Sequence, residues 1–150
     1  NKFMNTKLEL KIVTPEKLIL REMVDQVSLP TTNGEITILP GHIPLISGLA
    51  SGDIVAMTNN EYVPMAVSGG FVEVKKEGPL TKVAILADFA EHVKDLTDDV
   101  IEKARQKSIE LQKQADNKEV VDYEHFTAEL ERSLNRIKVA DKWKLKKYRK

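Results

Sequence analysis

The chain contains no cysteine, which removes disulfides, thiolate catalysis and zinc–cysteine sites together. That composition fits a reducing compartment. An excess of either charge is missing too, because 23 basic and 23 acidic residues balance to a net charge of +0. No overall field therefore draws the chain to nucleic acid or to a membrane surface, and an electrostatic partner has to be met by a local patch. No run reaches the roughly 18–20 apolar residues that crossing a bilayer takes. The opening residues, Asn1 to Thr6, lack the apolar core and small-residue cleavage pattern of a signal peptide. A soluble chain is expected, associated with a membrane only indirectly, through a partner.

Glycine and proline are absent by position. All six prolines and all seven glycines fall between Pro15 and Pro79, and none occurs from Leu80 onward. These residues punctuate turns, so their loss favours uninterrupted helix. The change of grammar falls between residues 88 and 97, and the boundary is drawn at 90/91. The expected fold class is α+β by segments: an all-β sandwich or barrel in residues 1–90, then an antiparallel two-helix hairpin in residues 91–150.

What is present before the boundary is β-like. Leu8, Leu10 and Ile12 alternate with Glu9 and Lys11, the period of a half-buried strand. Val24, Val27 and Leu29 form a second apolar set that ends at Pro30. Ile54–Met57 and Tyr62–Val67 flank Asn59-Asn60, and asparagine tolerates the left-handed backbone of tight hairpins. Val72, Val74 and Val83–Leu86 complete the run, with Asp88 marking a strand end. Many short, closely spaced strands indicate a sandwich or barrel.

After the boundary the period lengthens. Val100 or Ile101, Ala104, Ser108, Leu111 and Ala115 share one helical face, and Thr97 is placed to cap it. Phe126, Leu130, Ser133 or Leu134, Ile137 and Ala140 form a second stripe, with Asp122 as its cap. The short polar link from Asp116 to Glu119 makes the helices antiparallel neighbours. Residues 91–141 carry nine basic and thirteen acidic side chains. The end of the chain then adds Lys142, Lys144, Lys146, Lys147, Arg149 and Lys150 without one acid. Such a run is either a solvated helix end or a tail that docks on an acidic protein surface.

No catalytic constellation emerges. His42, His92 and His125 lack metal-ligand spacing, and no dense carboxylate loop exists, so no metal site is expected. Ser68-Gly69-Gly70 lies between strand-like segments, where neither a phosphate loop nor a nucleophile elbow is built. A turn admitting close backbone approach explains it better. The most unusual stretch is Gly34 to Leu45, an apolar, proline-stiffened loop with a lone histidine. It is either a rigid projection suited to contact another protein or a buried corner of the sandwich.

At this loop the sequence resembles the ε subunit of F-type ATP synthases, called δ in mitochondria. The resemblance rests on Ile12-Val13-Thr14-Pro15, on Gly34 to Leu45, on Ser68 to Val74 and on Val83 to Glu91. In the second half it rests on Val121-Asp122-Tyr123 and on Ala128-Glu129-Leu130 through Ala140. It covers roughly residues 7–141, in order. It implies a ten-stranded sandwich bound to the γ shaft and resting on the membrane c-ring, at the cytoplasmic face of a bacterial inner or plasma membrane. The implied interface residues are Glu35, Leu39, Pro40, Gly41, His42, Ile43, Pro44, Ser68, Gly69 and Gly70. It also implies a hairpin that folds down on the sandwich or extends into the catalytic α/β head, where it restrains ATP hydrolysis. The chain itself is then a non-catalytic rotor subunit of the central stalk that couples γ to the c-ring.

Some members bind ATP on the folded hairpin. Glu91, Arg132 and Arg136 match that pattern, while its central motif departs. Placed with fewest gaps it falls on Leu96-Thr97-Asp98-Asp99-Val100, without its Asp and Arg. Shifted, it gives Ile101-Glu102-Lys103-Ala104-Arg105-Gln106, which keeps Arg105, with Glu102 in place of Asp and Gln106 in place of Ala. No cofactor is expected, and ATP binding is expected to be weak or absent. The basic tail extends beyond the resemblance and is expected to dock on acidic parts of the catalytic β subunits. The rival reading is a stand-alone ligand-binding sandwich with a dimerising hairpin. It calls for an aromatic platform, yet the β half offers only Phe3, Tyr62, Phe71 and Phe89.

Overall fold

The computed structural model describes residues 7–119 and 122–148, with side chains as far as Leu145. Contacts divide the chain into two compact units, one ending at Glu91 and one starting at His92. The first unit holds eight strands: β1 (Leu8–Val13), β2 (Leu18–Val24), β3 (Gln26–Thr31), β4 (Gly34–Ile38), β5 (Leu45–Gly48), β6 (Gly52–Thr58), β7 (Glu61–Glu77) and β8 (Leu80–His92). Their order in the sheet is β2-β1-β8-β7-β6-β3-β4, with β5 pairing separately on β7.

Alternation decides which face of each strand is buried. Leu8, Leu10 and Ile12 of β1 point inward beside Val83, Ile85 and Ala87 of β8, all essentially without exposure. Val27, Leu29, Ile54, Met65, Val67, Val72 and Val74 join the same core. Each large apolar side chain contributes about 1.5–3 kcal/mol on burial, so this one cluster supplies most of the unit's stability.

Long strands that change partner close the sandwich. β7 pairs with β6 from Glu61 to Val67, then with β5 from Phe71 to Val74. The exchange happens at Ser68-Gly69-Gly70, where both glycines have positive φ, +67° and +120°. β8 likewise runs through Asp88 to His92, so Asp88 does not end a strand. Its inward row shifts between Ala87 and Ala90 instead. These continuous strands are why eight are counted and not about ten.

A second difference lies at Asp25. Val24 closes β2, while Val27 and Leu29 belong to β3, and Pro30 sits inside β3 opposite Glu35. Its missing N–H falls beyond Ser28, the last β3 residue paired with β6, where proline is tolerated. The hairpin at Asn59-Asn60 forms as expected, with φ of 52° and 66° between Thr58 and Glu61.

The second unit begins with a 3-10 turn (Val93–Asp95) and holds α1 (Asp98–Asp116) and α2 (Tyr123–Tyr148). Thr97 caps α1, its hydroxyl accepting the Val100 N–H at 3.3 Å. The Asp122 carboxylate accepts from the His125 N–H at 3.1 Å at the start of α2. Ile101, Ala104, Ser108 and Leu111 are buried along α1, as spaced, but Ala115 is exposed. On α2 the buried residues are Ser133, Asn135 and Val139. Leu134 is exposed, and Phe126, Leu130, Ile137 and Ala140 are half-buried. The stripe read from sequence missed Asn135 and Val139, which lie beside its row, and α2 meets the 3-10 turn as well as α1.

Candidate docking surfaces

The Gly34–Leu45 segment divides in two: Gly34–Ile38 is β4, with Ile38 in the core, and the residues after it are largely exposed. Leu39, Pro40, Gly41 and His42 form a tight turn after β4, closed by the His42 N–H donating to the Leu39 carbonyl at 3.1 Å. Proline in second place and a glycine at φ +91° in third are the requirements of a type II turn. The His42 Nδ1 lies 2.6 Å from the Ile43 carbonyl oxygen, which holds the ring against its own backbone. Leu39 and Ile43 are 52% and 72% exposed, with Gly41 and Pro44 open beside them. Glu35 is exposed at the start of β4, where its backbone faces Pro30. The turn thus presents two apolar side chains from a stiff backbone, which rules out a buried corner.

Ser68, Gly69 and Gly70 do something different. A Cβ on Gly70 would run into the Leu86 carbonyl, and one on Gly69 would come within 2.5 Å of the Asp88 carboxylate. These glycines let β7 run at close range along its sheet neighbour β8 while its other edge changes partner from β6 to β5, which is a demand of the fold. Ser68 is half-buried, and its hydroxyl finds no hydrogen-bond partner among the described residues. The residues that sequence reasoning missed lie next to this close approach. Phe71 and Leu86, 64% and 58% exposed, line a groove of about 280 Å³ with Pro15 and Asp88. Ile46, 73% exposed, faces outward on β5. The available signal was apolar side chains in the outward register of strands whose inward register was already filled.

The four candidate nucleotide ligands on the hairpin divide between two clefts. Glu102 and Arg105 line a cleft of about 520 Å³ with Leu96, Ile101, Ala140 and Trp143. There the Arg105 guanidinium lies 3.6 Å from the Asp141 carboxylate. Arg132 and Arg136 line a separate groove of about 240 Å³ beside Lys103, Lys107 and Glu129. Lys107 and Glu129 are 3.7 Å apart across the two helices. Glu91 closes the first unit. No group of histidine and acidic side chains suited to a metal ion occurs among the described residues.

Of the basic tail, Lys142 lies over the Trp143 ring at 5.8 Å. Lys144 reaches back to Asp98 in the first turn of α1 at 3.0 Å. Lys146 and Lys147 continue α2, but their side chains, and residues 149 and 150, lie outside the described residues. No helix among the described residues is long and apolar enough to cross a membrane.

Residues 7–93 match the family described as ATP synthase, Delta/Epsilon chain, beta-sandwich domain. The ATP synthase epsilon chain of Nitratidesulfovibrio vulgaris (strain DP4) is 41% identical over 136 residues, covering 91% of this chain and 97% of that one. That of Syntrophobacter fumaroxidans is 36% identical over 139 residues, covering 93% and 99%. A chain in the Euglena gracilis mitochondrial ATP synthase, solved as an OSCP/F1/c-ring assembly, shares the fold. It has a TM-score of 0.60 at 21% identity, covering 88% of this chain and 80% of that one.

Proposed function

The chain belongs to the ATP synthase delta/epsilon family, and from that premise we propose that it is a non-catalytic rotor subunit of the central stalk. In this reading the sandwich docks on the γ subunit and the c-ring, at the cytoplasmic face of a bacterial membrane. The hairpin regulates ATP hydrolysis through the catalytic α/β subunits. The observation that carries the docking role is the rigid turn exposing Leu39 and Ile43. Apolar side chains held out on an ordered backbone gain area on contact without a further ordering cost. His42 supplies the polar side chain within that turn, and Glu35 is exposed at the other end of β4.

The regulatory role is supported by the hairpin's narrow apolar seam. Four buried residues on α1 leave its packing close in energy to alternatives, as a two-state arm requires. Nucleotide binding to the arm is weak or absent in this proposal, since its candidate ligands are split between two clefts. The basic tail supplies an electrostatic contact with acidic surface on the catalytic β subunits, which salt weakens.

The docking reading is tested with the double variant Leu39→Asp/Ile43→Asp. ATP synthase stripped of this subunit is reconstituted with wild type or variant, and association and ATP-driven proton pumping are measured. The variant should fold normally and bind at least tenfold more weakly, with pumping reduced in step. Binding as tight as wild type would overturn the reading.

A further inference from the structure

We propose that Thr81 is a positioning residue that sets the attitude of the docking turn. The inference rests on the docking reading above and adds a residue from a different strand. Position 81 belongs to the inward row of β8, which continues through Val83, Ile85 and Ala87. A threonine there has 1% exposure, so its hydroxyl has lost water and needs a partner inside the protein. That partner is the Gly41 N–H, which donates to Thr81 Oγ1 at 2.8 Å across 40 residues of sequence.

The bond joins elements that the sheet keeps apart. β8 stands third in the strand order and β4 last, and the turn follows β4. Its N–H belongs to the glycine at φ +91°, the residue on which the turn pivots, between Leu39 and Ile43. The His42-to-Leu39 bond closes the turn on itself, and Ile38 opposite Val27 and Leu45 opposite Val74 hold its two ends, but none of these reaches its apex to set the apex's direction. Tying Gly41 to a buried hydroxyl on β8 fixes that direction. Two exposed side chains that must land together on a partner then arrive already placed. The gain appears in the lifetime of the complex more than in its formation rate.

The test uses Thr81→Val, which keeps the shape and removes the acceptor, and Thr81→Ser, which keeps the hydroxyl. Dissociation from reconstituted ATP synthase is followed for each, alone and combined with Leu39→Asp/Ile43→Asp. Thr81→Val should dissociate about tenfold faster, the scale of one buried hydrogen bond, and Thr81→Ser should restore the wild-type rate. In the Leu39→Asp/Ile43→Asp background, Thr81→Val should add little, because the side chains it positions are gone. Wild-type dissociation by Thr81→Val, an equal defect in Thr81→Ser, or an undiminished effect in the double-variant background would overturn the proposal. Should Thr81→Val fail to fold, amide exchange on the wild-type subunit decides. The Gly41 N–H should exchange slowly, and exchange at the rate of an open loop would overturn the tie. Unchanged binding by Leu39→Asp/Ile43→Asp would instead remove the docking reading itself, a separate failure.

Discussion

At Asp25 a single carboxylate holds three parts of the chain. It accepts from the Lys7 ammonium at 2.9 Å and from the Asn59 N–H at 2.9 Å, tying the start of the described chain to the β6–β7 turn. The Lys7 hydrogen bond first, then the Asn59 backbone bond, holds its pKa below the ordinary carboxylate range. A lowered folded-state pKa means that the ionised form is the one folding favours. The stabilisation is therefore complete above the unfolded-state value, about 3.9, and is lost as pH falls through the lower folded-state value. Asp25→Asn should reduce the urea midpoint at neutral pH by a small amount, as suits a partly exposed pair. The gap between variant and wild type should close in strong acid. A gap that persists unchanged there would show that charge is not the cause. Gly70 makes the complementary point: the Leu86 carbonyl occupies the place of a Cβ, so its role is steric and independent of pH.

The two helices of the second unit are held by their seam, with caps at their ends and exposed ion pairs adding smaller contributions. Thr97 and Asp122 cap the N-termini, and Asp98 and Asp99 add charge that suits the α1 dipole. Lys144–Asp98, Arg105–Asp141 and Lys107–Glu129 bridge the helices, in the order that antiparallel packing demands. Because Lys144 already answers Asp98, the tail's docking charge is assigned to the other basic residues. Replacing Lys142, Lys146, Lys147, Arg149 and Lys150 by Gln should weaken inhibition of ATP hydrolysis several-fold at low salt. The effect should fade near 1 M salt, where the Debye length is about 3 Å. Inhibition that is identical to wild type at every ionic strength would refute the docking tail.

On the scale of the whole molecule, the proposed regulation works without a tightly bound nucleotide. A phosphate held by arginines gains most when their guanidinium groups converge on it. Here Arg105 faces Asp141, while Arg132 and Arg136 line another groove. Calorimetric titration of the full chain with ATP should give no micromolar affinity, and a dissociation constant in the micromolar range would overturn that expectation. Much of this organisation was legible in advance. The loss of glycine and proline after Pro79 separated a β half from a helical half, and Thr97, Asp122 and Asn59-Asn60 announced caps and a turn by local chemistry. Asn135 and Val139 were not legible, because a buried asparagine interrupts an apolar pattern and Val139 lies beside the expected row and not on it. Asp88 looked like a terminus because a charge usually ends an apolar run, whereas here it lies on the outward side of a strand that continues.

By itself the sequence determined the class of each segment, the inward rows of the strands, the helix caps and the family. These follow from periodicity and from residue types acting within a few positions of themselves. The tertiary structure decided what depends on residues far apart in the chain. It made the Ser68-Gly69-Gly70 stretch the point where β7 changes partner, with no room for a side chain at Gly70 because the Leu86 carbonyl of β8 lies there. It divided the nucleotide candidates between two clefts, and it joined Gly41 to Thr81. A buried hydroxyl in an apolar row signals that a partner must exist, but only the closed sandwich says which one.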